Sequence, residues 1–215
     1  YKGIEYMYDK DTAHGIKIIS RDACERIIRY SFEYAIRNNR KKVTCVHKAN
    51  IMKLTDGLFL DVFHEIAREY PQIQSDDKII DALCMNLVSD PSVFDVLVSE
   101  NLYGDILSDL CAGFVGGLGF APSVNIGKDV RIYEAVHGSA PDIAGKDVAN
   151  PTAILMAFGM LLKEQGKQKE ANLLDKCLKQ IIEEKKTVTA DIGGKASTSQ
   201  FTEALCERIH HEKDR

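Results

Sequence analysis

No run in this chain reaches the roughly 18 apolar residues that cross a bilayer as a helix, and the most apolar stretch, residues 153–162, falls well short. No membrane partner is expected. The six cysteines (24, 45, 84, 111, 177 and 206) form no C-x-x-C pair, which argues against a zinc ribbon, a dithiol motif or a disulfide framework. Several lie in apolar periodic runs and read as small buried hydrophobes of a reducing compartment. There is no basic excess: the net charge is −4, so nucleic acid is not expected as a partner either. The Gly-rich passage Gly113-Phe-Val-Gly116-Gly117-Leu-Gly119-Phe-Ala-Pro122 is neither G-x-G-x-x-G after a strand nor a Walker A loop, so neither nucleotide fingerprint applies. Internal repeats and low-complexity tracts are missing. The chain begins at Tyr1 rather than Met, so the lack of a leader says nothing about location.

What is present is ordinary globular material. Apolar content of 45% and charged content of 28% argue against disorder, and 215 residues can form one large domain or two small ones. Two short strands are expected within 1–8 and 14–19 around a turn at 9–13, a ribbon too slight to stand alone. A helix capped by Ser20 or Asp22 follows, with Ile27, Ile28, Ser31, Tyr34 and Ala35 at helical spacing. Val43-Thr-Cys-Val-His47 reads as a strand, and Asp56 opens a helix that runs to about Tyr70, before Pro71. Ile79, Ile80, Leu83, Cys84, Leu87 and Val88 form a helical stripe, residues 94–98 a buried strand, and residues 131–136 another. A long polar loop, 137–151, then leads into helices near 152–164, 170–184 and 199–211. Strand, helix, helix, strand, helix is an α/β order.

The chemistry gathers at Asn101-Leu-Tyr-Gly-Asp105-Ile-Leu-Ser-Asp109, which opens a helix after the 94–98 strand with Ile106, Leu107 and Leu110 as its apolar face. Asp105 and Asp109 project from one side of that helix. Spacing leaves two readings open: hard oxygen ligands for Mg²⁺ or Mn²⁺, or acids near a helix start that are simply solvated. Lys48 leaves the carboxyl end of a strand, where active-site groups of α/β layers collect, yet a lone lysine there is commonly solvated. Asp81, on the flank of its helix, reads the same way when taken singly.

At Asn101 to Asp109 the chain resembles the isocitrate/isopropylmalate dehydrogenases, the metal-dependent β-decarboxylating family. Tyr1-Lys-Gly-Ile-Glu5, Val43-Thr-Cys-Val-His-Lys48-Ala-Asn50-Ile-Met52, the 101–127 passage and His137-Gly-Ser-Ala-Pro-Asp142-Ile-Ala-Gly145 all occur in the family's order. Within the family, Val46 to Met52 and Gly116 to Gly127 look most like the catalytic subunits of mitochondrial-type NAD-dependent isocitrate dehydrogenases. The resemblance implies a small α/β domain with a projecting arm and a larger α/β domain for the cofactor. Residues 1–18 would be the dimerisation arm, 19–115 the small α/β domain with the metal site, and 116–215 the C-terminal part of the large cofactor-binding domain. The rest of that domain, with the serine and arginines that hold substrate, would precede Tyr1. The chain alone is then expected to be inactive.

The resemblance also implies roles. Asp105 and Asp109 would bind Mg²⁺ or Mn²⁺ together with Asp81 of a neighbouring subunit. Lys48, also the neighbour's, would assist removal of the substrate's hydroxyl proton, and Tyr1 would protonate the enolate left by loss of CO₂. The loop after His137 and Gly138 would hold the adenosine half of the dinucleotide, with Asn150 at the adenine. Asp142-Ile143 stands where NADP-using relatives carry a Lys-Tyr pair. An acid there would repel a 2′-phosphate, so NAD is the expected cofactor. The implied reaction is isocitrate to 2-oxoglutarate in a homo- or hetero-oligomer of the mitochondrial matrix. Isopropylmalate and homoisocitrate dehydrogenases share the same motifs and stay open as alternatives. So does a silent regulatory homologue, although such chains resemble Gly-Asn-x-x-x-Asn where this one keeps Asp105 and Asp109.

Overall fold

The computed structural model describes residues 3–213, and the chain divides into two compact units, Tyr1–Ser108 and Asp109–Arg215. In the first, β1 (Glu5–Met7) and β2 (Ala13–Gly15) pair antiparallel with Tyr6 opposite His14. The hairpin is shorter than its apolar residues suggest. It forms a separate two-stranded sheet whose Tyr6, Met7 and Tyr8 are 51%, 61% and 68% exposed.

Next come α1 (Arg21–Arg37), β3 (Lys42–His47), α2 (Thr55–Ala67), β4 (Gln74–Ile79), α3 (Ile80–Ser89) and β5 (Val96–Ser99). The last element of this run, α4 (Asn101–Phe114), starts directly after β5 and continues past the division between the units. The three strands form a parallel sheet in the order β4-β3-β5. β3 is the middle strand, and every residue from Val43 to His47 is buried, as expected for a parallel strand covered on both faces. Cys24, Ile28, Phe32 and Ala35 of α1 pack with Phe59, Val62, Phe63 and Ile66 of α2 in the core beside it. The buried line of α1 is therefore Cys24-Ile28-Phe32-Ala35, with Ser31 alongside. Ile27 and Tyr34, expected inside, lie on the exposed flank. Ser20 occupies the N-cap position of α1 but makes no side-chain cap.

β4 is not apparent from its sequence, because Gln74-Ser-Asp-Asp-Lys78 carries no apolar alternation. As an edge strand it can be charged, and its acids are used: Asp76 accepts from the Thr44 hydroxyl at 2.5 Å, and Asp77 lies 3.1 Å from His47 Nε2.

The second unit holds β6 (Pro122–Ile126) and β7 (Arg131–Ala135), paired antiparallel with Val124 opposite Tyr133. Three helices follow: α5 (Thr152–Glu164), α6 (Gln168–Glu184) and α7 (Thr198–Lys213). Leu174, Cys177, Leu178 and Ile181 of α6 bury their shared face against Val188, Phe201 and Leu205. Gly194 is required where it stands: a Cβ there would lie 1.8 Å from the Val188 carbonyl oxygen.

Candidate functional site

Three parallel strands end at one edge of the sheet in the first unit, and each hands a chemically relevant residue to the segment that follows. Lys48 follows β3, Asp81 is the second residue of α3 after β4, and Asp105 lies one turn into α4 after β5. This edge is where ligands bind in parallel α/β sheets. Lys48 Nζ donates to Asp81 Oδ1 at 2.7 Å, and Asp81 is largely exposed. The hydrogen bond from Lys48 holds the Asp81 carboxyl below the usual carboxylate range. Asp105 and Asp109 are both exposed on α4. Leu107 is buried as the apolar pattern requires, whereas Ile106 is exposed.

Among the described residues, no group of three His, Cys, Asp or Glu side chains converges to hold a metal within one chain. As donors, three carboxylates with no thiolate or imidazole among them form the hard-oxygen set suited to Mg²⁺ or Mn²⁺ rather than to zinc. Tyr1 lies outside the described residues.

Under Lys48 lies a polar network that no sequence pattern announces. Asp56, fully buried in the first turn of α2, accepts from the Lys48 backbone N–H at 2.7 Å through Oδ2. Its other oxygen pairs with Lys17, whose ammonium also meets Glu100 at the end of β5. Lys17 lies over the Tyr103 ring at 4.9 Å. Burial pushes the Asp56 pKa up, but the bonds from Lys17 and the Lys48 amide outweigh it and hold the group low. Lys17 is raised in turn, its two carboxylate partners overcoming its own burial. Glu100 goes the other way: burial raises it more than Lys17 lowers it, and its Oε1 is buried with no hydrogen-bond partner.

The second locus lies wholly in the other unit. The loop after β7 folds around a cavity of about 610 Å³ walled by His137, Gly138, Ile143 and Asn150, with Asp191 and Thr198 from distant segments. Four of the five expected cofactor residues thus share one cavity. Asp142 stands exposed beside it, at the centre of the short 3₁₀ turn Pro141–Ile143. Asn150 is held rigidly: Nδ2 donates to Asp191 Oδ2 at 2.9 Å, and Oδ1 accepts from Thr152 N at 3.0 Å, at the start of α5. Gly119 passes so close that a Cβ would come within 3.3 Å of both side chains. Asp147, at φ 56°, caps α7: its carbonyl accepts from Thr198 N at 2.9 Å and its Oδ1 from Ser199 N at 3.0 Å.

In the first unit, then, the lysine after β3 bonds to an aspartate of α3 at the carboxyl end of the parallel sheet, and in the other unit a polar loop walls a cavity. Residues 1–205 match the isocitrate/isopropylmalate dehydrogenase family. The chain belongs to that family. It is 48% identical over 209 residues to a Drosophila melanogaster protein named as the probable alpha subunit of a mitochondrial NAD isocitrate dehydrogenase, covering 97% of this chain and 55% of that one. It is 50% identical over 210 residues to a Dictyostelium discoideum protein named as a regulatory subunit of the mitochondrial NAD isocitrate dehydrogenase, covering 97% and 59%. The isocitrate dehydrogenase from Methylococcus capsulatus shares the fold with a TM-score of 0.93 and 50% identity, over 97% of this chain and 63% of that one. The family's α/β fold is therefore that of this chain, which spans 55%, 59% and 63% of the length of these three relatives. Relatives named as alpha and as regulatory match it almost equally well, so overall identity does not sort the two kinds. Individual residues must.

Proposed function

We propose that this chain is part of a catalytic-type, NAD-dependent subunit that oxidises isocitrate and releases CO₂ to form 2-oxoglutarate. The observation that carries this reading is the 2.7 Å Lys48–Asp81 pair at the carboxyl end of the parallel sheet. Asp105 and Asp109, with Asp81 of a neighbouring subunit, would hold Mg²⁺ or Mn²⁺. A divalent cation bound there supplies a Lewis acid for the substrate's oxygens. Lys48 of the neighbour would assist removal of the substrate's hydroxyl proton, and NAD, when bound, would supply the hydride acceptor for the carbon that bears that hydroxyl. Decarboxylation of the resulting β-keto acid leaves an enolate, and Tyr1 returns a proton to its carbon. Asn150, fixed by Asp191 and by α5, meets the adenine in the loop cavity. Exposed Asp142 accepts from ribose hydroxyls and disfavours a 2′-phosphate, which supports NAD.

Residues 1–18 act as an arm to a second copy or homologue, 19–115 as the small domain, and 116–215 as part of the cofactor domain. The relatives' names support an oligomer of homologous subunits in mitochondria. The test is NADH formation by the complete chain with Mn²⁺, comparing isocitrate with isopropylmalate. Turnover confined to isocitrate is expected, and equal or greater turnover with isopropylmalate would overturn the substrate assignment. The regulatory reading draws on the Dictyostelium relative. Retention of Asp105 and Asp109 weighs against it, because losing metal carboxylates silences the chemistry.

A further inference from the structure

We propose that Asp56 is a positioning residue for Lys48, locked from beneath by Lys17. The ladder between β3 and β4 ends at the His47–Ile79 pair, and that between β3 and β5 at Val46–Ser99. The Lys48 N–H is thus the first amide of this strand beyond its sheet. Asp56 takes it at 2.7 Å, extending the order of the strand by one residue at the point where the side chain must turn toward Asp81. A carboxylate with no exposure is an expensive way to satisfy one amide unless its own charge is met. Lys17 meets that charge and is itself tied to Glu100 at the end of β5, and it lies over the Tyr103 ring of α4. Three segments are braced together: the chain before α1, the start of α2, and the junction of β5 with α4. The Lys48 main chain rests on that brace.

This inference rests on the reading of Lys48 as the group that assists removal of the hydroxyl proton, so the experiment separates the two. In the complete chain, Asp56→Leu removes the acceptor while keeping the same heavy-atom branching. Misplacing a proton-transfer group lowers kcat, here by tenfold or more, while the KM for isocitrate and the affinity for Mn²⁺ move less than about threefold. Asp56→Asn keeps an acceptor oxygen and is expected to recover most of kcat. On a Lys48→Gln background, Asp56→Leu is expected to cause no further loss, because it acts through the missing lysine. Lys17→Met leaves Asp56 in place but unlocks it. It offers a second route with the same expected non-additivity if Asp56→Leu does not fold. A full additional loss on the Lys48→Gln background, or an undiminished kcat in Asp56→Leu when Lys48→Gln is crippled, would overturn the proposal. Wild-type turnover in Lys48→Gln alone would instead overturn the reading of Lys48 beneath it.

Discussion

Glu100 carries the least satisfied charge among the described side chains. It is only 8% exposed, shares Lys17 with Asp56, and leaves Oε1 without a partner. Burial raises its pKa, so between the ordinary carboxylate range and that raised value the folded state binds more proton than the unfolded chain. Stability then falls as pH rises through that window. Glu100→Gln removes the ionisation while Lys17 keeps Asp56. Thermal unfolding is expected to show this variant about 1 kcal/mol more stable than the parent above the window, with the advantage vanishing in acid. A variant less stable at every pH would mean that Lys17 needs both charges. At Asp105 the expectation concerns binding: in the complete chain, Asp105→Asn is expected to weaken Mn²⁺ by tenfold or more in calorimetry, since a neutral amide replaces a hard anionic ligand. Unchanged affinity would remove Asp105 from the metal set.

Among the elements, the N-terminus of α7 is the most testable, because the residue that caps it lies in the loop proposed to hold the cofactor. Hydrogen bonds from Ser197 and Ser199 hold the Asp147 carboxyl below its usual range, so its contribution is present above that range and is lost as pH falls through the lowered value. Asp147→Ala is expected to lower the melting temperature by a few degrees near neutrality and to weaken NAD binding by opening the loop. The melting difference closes in acid, and a pH-independent difference would mean that packing, not capping, is at stake. Only part of this was legible from the chain. The helices follow their apolar periods, because one face of each must be buried. β4 and β6 escaped: one is a charged edge, and the other begins at Pro122, in a Gly-rich passage that reads as loop. Within the candidate site, Lys48, Asp81 and Asn150 were proposed from motifs. Lys17 and Asp56 stand 39 residues apart, and Asn150 and Asp191 stand 41 apart. Periodicity carries no signal over such distances, so only folding brings these partners together.

At the scale of the whole molecule, the proposed division of labour has a consequence that no single chain can display. Each subunit would lend Lys48 and Asp81 to its neighbour and keep Asp105 and Asp109 for itself. The exposed ribbon of β1 and β2, with Tyr6, Met7 and Tyr8 open to contact, supports such an exchange, since an isolated two-stranded ribbon is marginal without further packing. Complete chains carrying Asp105→Asn and complete chains carrying Lys48→Gln are each expected to be nearly inactive as homo-oligomers. Unfolded and refolded together in equal amounts, they form mixed pairs in which one site combines both lesions and the other has neither. Random pairing makes half the dimers mixed, each with one intact site, so activity is expected to return to about a quarter of the parent's. The readout is NADH formation with isocitrate and Mn²⁺ after co-refolding, against each variant refolded alone. No recovery, with mixed dimers verified by a different affinity tag on each variant, would show that Lys48 and Asp105 serve the same chain.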